Sequence, residues 1–181
     1  VGTVYTTGPV TAHCTVTAAF APARTVTAVA GAGGSISPAG AQTLTDGAVA
    51  AFTVTPQAGY QVLSVSGCGG SLAQSTFTTA PITQNCTVSA SFAPVLHAVT
   101  ATAGAGGSIN PAGTVNVAQG QAGSFTVTPA AGYRIAAVTG CGGTLAGSVY
   151  TTAAVTGACT VQARFETLPI PTSTGSGPVQ V

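Results

Sequence analysis

The chain repeats itself, and this repetition limits the possible folds more than any other feature of the sequence. The stretch AGAGGSISPAG at residues 30–40 returns as AGAGGSINPAG at residues 103–113, which is 73 positions later. The same spacing then holds through the module for Phe52 and Phe125, Pro56 and Pro129, Tyr60 and Tyr133, Cys68 and Cys141, Cys86 and Cys159, and Phe92 and Phe165. Such a chain folds as a row of similar small units rather than around one large core.

The repeat divides the sequence into four parts. At the start only the end of a module is present, because Val4–Thr7 matches Val149–Thr152 and Cys14–Phe20 matches Cys86–Phe92. We therefore predict an incomplete repeat at residues 1–22, a first module at 23–95, a second module at 96–166, and a Pro/Ser/Gly-rich tail or linker at 167–181. We expect Cys14–Phe20 to form a strand, and the incomplete repeat to be completed either by more of the same polypeptide or by a neighbouring copy.

Apolar and polar residues alternate within each module with the period of a β-strand. The alternation is clearest at the end of the first module, where Cys86, Val88, Ala90 and Phe92 share one face and Thr87, Ser89 and Ser91 share the other. Earlier strands are predicted at 25–30, 49–55, 61–66 and 75–79, with turns at 46–47 and 56–59. The expected fold is all-β: tandem modules of about 70 residues, five or six strands each, as small β-sandwiches or β-grasp-like sheets.

The same alternation predicts which side chains form the core of each module. They are Phe52, Val54, Val65, Val88 and Phe92 in the first module, and Phe125, Val127, Val138, Val161 and Phe165 in the second.

The cysteines are placed alike in the two modules, 18 positions apart in each: Cys68 and Cys86, then Cys141 and Cys159. We predict one disulfide per module rather than a zinc site, since there is no C-x-x-C pair and no recurring histidine. Free buried thiols are the remaining alternative. Closing such a loop contributes about 3 kcal/mol, which is large for a small module with a mostly Ala and Val core. It also implies an oxidising compartment. For Cys14 the predicted partner is a cysteine outside the sequence.

Charge is scarce, and this excludes several classes of function. The charged side chains are Arg24, Arg134, Arg164, Asp46 and Glu166. We expect no nucleic-acid partner, because no basic stripe could neutralise phosphates. No apolar run approaches the roughly 18 residues of a spanning helix, so we expect no membrane insertion. With only two carboxylates, one in a turn and one beside the tail, we predict no catalytic residue, no metal site and no cofactor, and therefore no enzyme.

Several residues have both an ordinary and a functional interpretation. The GAGGS stretches are interpreted as turns or bulges rather than phosphate loops, because neither a lysine nor a helix follows them. Tyr60 and Tyr133 are predicted to anchor the edge of the core, and carbohydrate stacking is their alternative role. We place His13 at a solvated edge and His97 in the intermodule connection. A third functional class, ice or mineral binding, would use threonine ranks such as Thr25, Thr27, Thr53 and Thr55.

Three ordered motifs connect the sequence with a known family. They read GAGGSISPAG, AFTVTPQAGYQVLSVSGCGGSL and TFTTAPITQNCTVSASF, and each returns nearly unchanged in the second module. On these motifs the chain resembles the divergent internalin B-type repeats of bacterial surface proteins, over most of residues 2–166. The resemblance implies a secreted or cell-surface protein with a structural or adhesive role and no catalytic residues.

From the sequence we predict a non-enzymatic extracellular repeat protein that forms a stalk or filament on or outside a bacterial cell. The short connection at 93–97 favours a stiff rod, and the absence of lysine leaves sheet edges open to strand addition. The expected partners are other copies of the protein or the rest of a longer repeat chain. The alternative is an adhesive or carbohydrate-binding appendage of a secreted protein, with surface glycans as its ligand.

Overall fold

The computed structural model describes residues 4–169, which form sixteen β-strands and no helix. In the first module the strands are β1 (Ala23–Ala30), β2 (Gly34–Ser37), β3 (Gly40–Thr45), β4 (Ala51–Pro56), β5 (Tyr60–Ser66), β6 (Ser71–Ala73), β7 (Thr76–Thr78) and β8 (Cys86–Pro94). The second module repeats this order as β9 (Leu96–Ala103), β10 (Gly107–Asn110), β11 (Gly113–Ala118), β12 (Ser124–Pro129), β13 (Tyr133–Thr139), β14 (Thr144–Ala146), β15 (Val149–Thr151) and β16 (Cys159–Thr167).

Each module consists of two four-stranded sheets. In the first module one sheet has the order β3-β1-β8-β5 and the other the order β2-β4-β7-β6. The second module repeats both, as β11-β9-β16-β13 and β10-β12-β15-β14. All paired strands are antiparallel except β1 with β8 and the equivalent β9 with β16, which are parallel. The fold is thus all-β, as predicted, with two sheets in each module.

One apolar core lies between the two sheets of each module. In the first module β1 and β8 contribute Val26 and Val88, while β4 and β7 contribute Phe52, Val54 and Phe77, and none of these is more than 1% exposed. Burying side chains of this size stabilises the fold by about 1.5–3 kcal/mol each. The strands alternate because their opposite faces meet this core and the solvent.

The predicted core positions are largely confirmed. The fully buried ones are Phe52, Val54 and Val88, with Phe125, Val127 and Val161 in the second module. The remaining predicted residues are only partly buried and pack against the margin of the core: Val65, Phe92, Val138 and Phe165. They lie on β5 and β8 or on the equivalent strands of the second module. Because β5 is the edge strand of its sheet, the core is open to solvent on that side.

The predicted number of strands was wrong, because each module has eight strands and not five or six. Three short strands were missed in the first module, namely β2, β3 and β6. The first two lie in the Gly- and Pro-containing stretch GSISPAGAQTLT, and β6 has only three residues, all exposed. Such segments are too short, or too poor in β-branched residues, for alternation to reveal them.

The connection between the modules is also shorter than expected. The sequence placed it at 93–97, but β8 ends at Pro94 and β9 begins at Leu96, so that Val95 alone separates the two strands. His97 therefore lies within β9 rather than in a connection.

Residues 4–22 form no strand, and their side chains are exposed. The strand expected at Cys14–Phe20 is absent there, and Phe20 is 93% exposed. The equivalent strand of a complete module, β8, is paired on one side with β1 and on the other with β5. Within residues 4–169 no strand pairs with the segment Cys14–Phe20 in this way. The predicted tail falls outside the described residues from position 170 onward.

Candidate functional site

Each module has one disulfide, between Cys68 and Cys86 in the first and between Cys141 and Cys159 in the second. This is the pairing predicted by the spacing. In each module the bond joins the loop before a short edge strand to the first residue of the last strand. Cys14 is an exposed thiol in the segment before the first module, and its predicted bond to an outside cysteine stays a prediction.

The loop that carries Cys68 lies directly against β8. Gly67 has a φ of 119°, and a Cβ atom at this position would overlap the carbonyl oxygen of Thr87. The equivalent Gly140 has the same φ and the same approach to Thr160. Glycine is therefore required on both counts, by conformation and by space. This close approach brings the two cysteines together, which explains why a glycine precedes the cysteine in both modules.

The junction between the modules is built on Val95. Its N–H donates to the carbonyl of Gly59 in the first module (2.8 Å), and its carbonyl accepts from the N–H of Gln119 in the second (2.8 Å). A Cβ atom on Gly59 would lie 3.5 Å from the carbonyl oxygen of Gln119, so the backbones of the two modules are in close contact. At the equivalent Gly132 no described atom lies within 4 Å of such a Cβ. The junction residue is thus held from both sides.

Parts of the same arrangement recur at the outer ends of the two modules. The N–H of Asp46 donates to the carbonyl of Pro22 (2.9 Å), which corresponds to the bond between Gln119 and Val95. The N–H of Leu168 donates to the carbonyl of Gly132 (2.8 Å), which corresponds to the bond between Val95 and Gly59. The junction geometry is therefore a property of each repeat.

Two ion pairs lie near the outer ends of the two-module unit. Arg24 contacts Asp46 (2.6 Å) and Arg134 contacts Glu166 (2.7 Å), and all four side chains are partly exposed. From the sequence, Asp46 and Glu166 were predicted to be turn and surface residues, and neither ion pair was predicted. The sequence held a signal for both pairs, because the two partners of each pair are replaced together in the other module. His97 and Gln119 stand in place of Arg24 and Asp46, and Gln61 and Ala93 stand in place of Arg134 and Glu166.

The two histidines lie in different environments. His13 is exposed, as predicted, in the segment before the first module. His97 is partly buried at the start of β9, and its Nε2 is buried with no hydrogen-bond partner in the described part of the chain.

Tyr60 and Tyr133 hold equivalent places as the first residues of β5 and β13, and their predicted role as anchors at the edge of the core stays a prediction. The ring of Tyr60 lies on the backbone of Gly33, which has a φ of 91°, and a Cβ atom on that glycine would overlap the ring. Tyr133 lies on Gly106 in the same way. Tyr60 is 39% exposed, so part of its ring is open to solvent.

The threonines proposed as one rank lie on different sheets. Thr25 and Thr27 are partly buried on β1, whereas Thr53 and Thr55 are exposed on β4 in the other sheet of the module. Because the sheets face away from each other on their solvent sides, these residues form no common surface. This removes the basis of the ice- or mineral-binding interpretation.

The described residues hold no cluster of possible metal ligands. Asp46 and Glu166 lie in different modules, each beside an arginine, and no group of three or more His, Cys, Asp or Glu side chains meets within residues 4–169. A shallow cavity of about 300 Å³ lies beside the first disulfide, lined by residues such as Cys68, Ala80 and Ile82. In the part of the chain that the structure describes, no helix is long and apolar enough to cross a bilayer.

Comparison with known proteins gives one family and no individual relative. The model of the divergent InlB B-repeat domain matches residues 24–96 and then 97–169, so the two matches follow one another directly and together cover about four-fifths of the chain. No curated protein and no solved structure matches the chain.

Proposed function

The chain belongs to the divergent InlB B-repeat family, and from this premise we propose that it is a non-enzymatic structural protein forming a stalk or filament on or outside a bacterial cell. The observation that carries the proposal is the junction at Val95. A linker of one residue, hydrogen-bonded to both modules, restricts their relative motion far more than a flexible linker would. Repeats joined in this way add up to a stiff extended body.

The disulfides support a location outside the cytoplasm. Bonds of this kind persist in oxidising compartments and are rare where thiols are kept reduced. Both complete modules have one, and the divergent InlB B-repeat family matches both modules in tandem.

A role without catalysis is supported by the chemistry of the described surface. General acid–base catalysis needs ionisable groups placed together in a cleft. Here the two carboxylates lie in different modules, and each is partly exposed and paired with an arginine.

The proposed partners are further repeats of the same kind, in the same chain or in other copies. Outer strands such as β3 and β5 have no lysine, and lysine is a common means of preventing edge pairing. Addition of a strand at such an edge would link copies laterally.

Carbohydrate binding is the second candidate, favoured by one observation. A partly exposed tyrosine ring that packs against a glycine backbone offers an aromatic surface for contact with a sugar, and Tyr60 is such a residue. A glycan array separates the two proposals. The test variant is Tyr60→Ala, and the matched control is Tyr133→Ala, which removes the equivalent ring of the second module. Binding lost in Tyr60→Ala would favour the appendage, and the absence of any binding would leave the structural role.

The test of the main proposal combines location with shape. An antibody against the chain should label intact cells of the bacterium that produces it, and electron microscopy of the native protein should show extended rods or filaments. Labelling that requires permeabilised cells, or compact particles in the micrographs, would contradict the proposal.

A further inference from the structure

The first and the last strand of each module are direct neighbours and run in parallel. β1 pairs with β8 from Val26 opposite Cys86 to Ala30 opposite Ala90. In the second module β9 pairs with β16 in the same register. These are the strands through which the chain enters and leaves the module. Because they are parallel, the entering end of β1 and the leaving end of β8 lie at opposite ends of their shared ladder.

This arrangement determines how the module would respond to tension on the chain. A pull at both ends draws β1 toward its N-terminus and β8 toward its C-terminus, along the strands and in opposite directions. The hydrogen bonds between the two strands are then loaded together. If the attachment points lay at the same end of the ladder, the bonds would instead open one after another.

We propose that β1–β8 and β9–β16 are shear clamps, meaning strand pairs that resist tension by sharing it over a whole ladder, and that the chain is built to carry tensile force. The biological meaning of this inference rests on the stalk role proposed above. Its physical content, a high resistance to force in one direction, does not depend on where the protein lives.

The ladder of each clamp is longer than the paired strands alone and is well shielded. The N–H of Gly31 donates to the carbonyl of Ala90 (2.9 Å) beyond the end of β1, and Gly104 bonds to Ala163 in the same way (2.9 Å). In the first module both clamp strands are central in their sheet. Val26 of β1 and Val88 of β8 are fully buried. Water therefore has poor access to these bonds from the core side, and this slows their exchange for bonds to solvent.

The junction transfers force directly from one clamp to the next. β8 is the last strand of the first clamp and β9 is the first strand of the second, and Val95 is the only residue between them. Since Val95 is also bonded to Gly59 and Gln119, little slack is available before the clamps are loaded.

The disulfide limits how far a module can extend once its clamp has broken. Cys86 is the first residue of β8, and its bond to Cys68 bypasses 18 positions of the chain. The bypassed loop stays out of the path of the force. At roughly 3.5 Å per extended residue, an unfolded module with its disulfide intact is shorter by about 6 nm than a reduced one.

Single-molecule force spectroscopy on the full chain tests the clamp. With handles at the two ends, we expect two rupture events, one for each module, and about 6 nm of additional extension for each module after reduction. A second geometry pulls between the N-terminal handle and residue 84. Gln84 is exposed just before β8, and Gln84→Lys gives a unique lysine in a chain that has none. This geometry opens the β1–β8 ladder from one end.

We expect the rupture force in the end-to-end geometry to exceed that in the second geometry several-fold. The Gln84→Lys chain pulled by its ends serves as the folding control and should match the unchanged protein. Equal forces in the two geometries would overturn the clamp, and extension unaffected by reduction would overturn the role of the disulfide. A strong clamp in a protein that surface labelling finds inside cells would contradict only the proposed stalk. A weak clamp in a surface rod would contradict only this inference.

Discussion

The two complete modules have the same strands, the same sheet order and the same disulfide, yet they share neither ion pair. Arg24–Asp46 occurs only in the first module and Arg134–Glu166 only in the second. Exposed pairs of this kind are worth about 0–1 kcal/mol. A fold that forms equally with either pair is not determined by them. The shared features, namely the core, the disulfide and the close approach at Gly67 and Gly140, must hold each module together.

A second difference lies deeper in the structure. Phe77 of the first module corresponds to Tyr150 of the second, and both rings are buried against the opposing sheet. The hydroxyl of Tyr150 donates to the carbonyl of Gly140 (2.5 Å), a bond that Phe77 cannot make. The core thus accepts a hydroxyl where a backbone acceptor is in reach, which is the usual condition for burying tyrosine.

The largest effect is expected from removing a core aromatic in one module at a time. Phe52→Ala should destabilise the first module by about 3–5 kcal/mol, because it leaves a cavity between the sheets, and Phe125→Ala should do the same in the second. Calorimetry should show the altered module melting earlier than its neighbour. A loss below about 1 kcal/mol in either variant would mean that the two cores are not equivalent.

Removal of one disulfide should be the next largest effect. Replacing Cys68 and Cys86 together by alanine should cost the first module about 3 kcal/mol, since the unfolded chain gains freedom. The matched double variant of Cys141 and Cys159 should cost the second module a similar amount. Non-reduced peptide mapping gives the control, because the remaining bond should stay intact. Bonds between the modules, or four free thiols in the unchanged protein, would refute the assignment.

One side-chain hydrogen bond is present in the first clamp and absent from the second, and its removal should have a smaller effect on stability. The side-chain Oδ1 of Asn85 accepts from the N–H of Thr25 (2.8 Å), which adds a bond between β1 and the residue before β8. The second module has Ala158 at this place. Its own additional contact, from the hydroxyl of Thr102 to the carbonyl of Val161, is long at 3.4 Å and therefore weak.

We therefore expect Asn85→Ala to weaken the first module by about 0.5–1.5 kcal/mol, and Ala158→Asn to strengthen the second by a similar amount. Amide exchange measured by NMR should become faster at Thr25 in the first variant and slower at Ala98 in the second. If Thr25 exchanged at an unchanged rate in Asn85→Ala, the side-chain bond would have no role in the clamp.

The smallest effect should come from the ion pairs. Arg24→Gln and Arg134→Gln should each change the free energy of unfolding by less than about 1 kcal/mol relative to the unchanged protein. This change should be smaller still at high salt, because salt screens exposed charges. Arg164→Gln is the control, because Arg164 hydrogen-bonds only to the neutral Gln162 in the described contacts. Chemical denaturation measures all three. A loss above about 2 kcal/mol would contradict the view that charge is dispensable here.

The sequence predicted those features that depend on local pattern or exact repetition. Strict spacing revealed the modules and the cysteine pairs, and alternation correctly placed side chains such as Phe52 and Val88 in the core. Alternation failed for β2 and β3, since both begin with glycine and Pro38 interrupts the stretch between them, which leaves too little pattern in either strand.

Long-range relations could not be predicted. The parallel pairing of β1 with β8 joins residues about 60 positions apart, and no local property of either strand shows it. The Arg24–Asp46 pair depends on the β1–β3 register, which could not be predicted because the alternation does not reveal β3. The strand predicted at Cys14–Phe20 had the right alternation but lacks paired neighbours in the described chain. Alternation therefore indicates a capacity for strand formation, and pairing decides whether the strand forms.

Residual dipolar couplings measured by NMR test whether Val95 joins the two modules into one stiff body. If the junction is stiff, the couplings of both modules should fit a single alignment tensor. Two glycines inserted between Val95 and Leu96 should separate them into two tensors, because Val95 can then no longer bond to both Gly59 and Gln119. Two tensors of different magnitude in the unchanged protein would show that the modules move independently and that the junction at Val95 is not stiff.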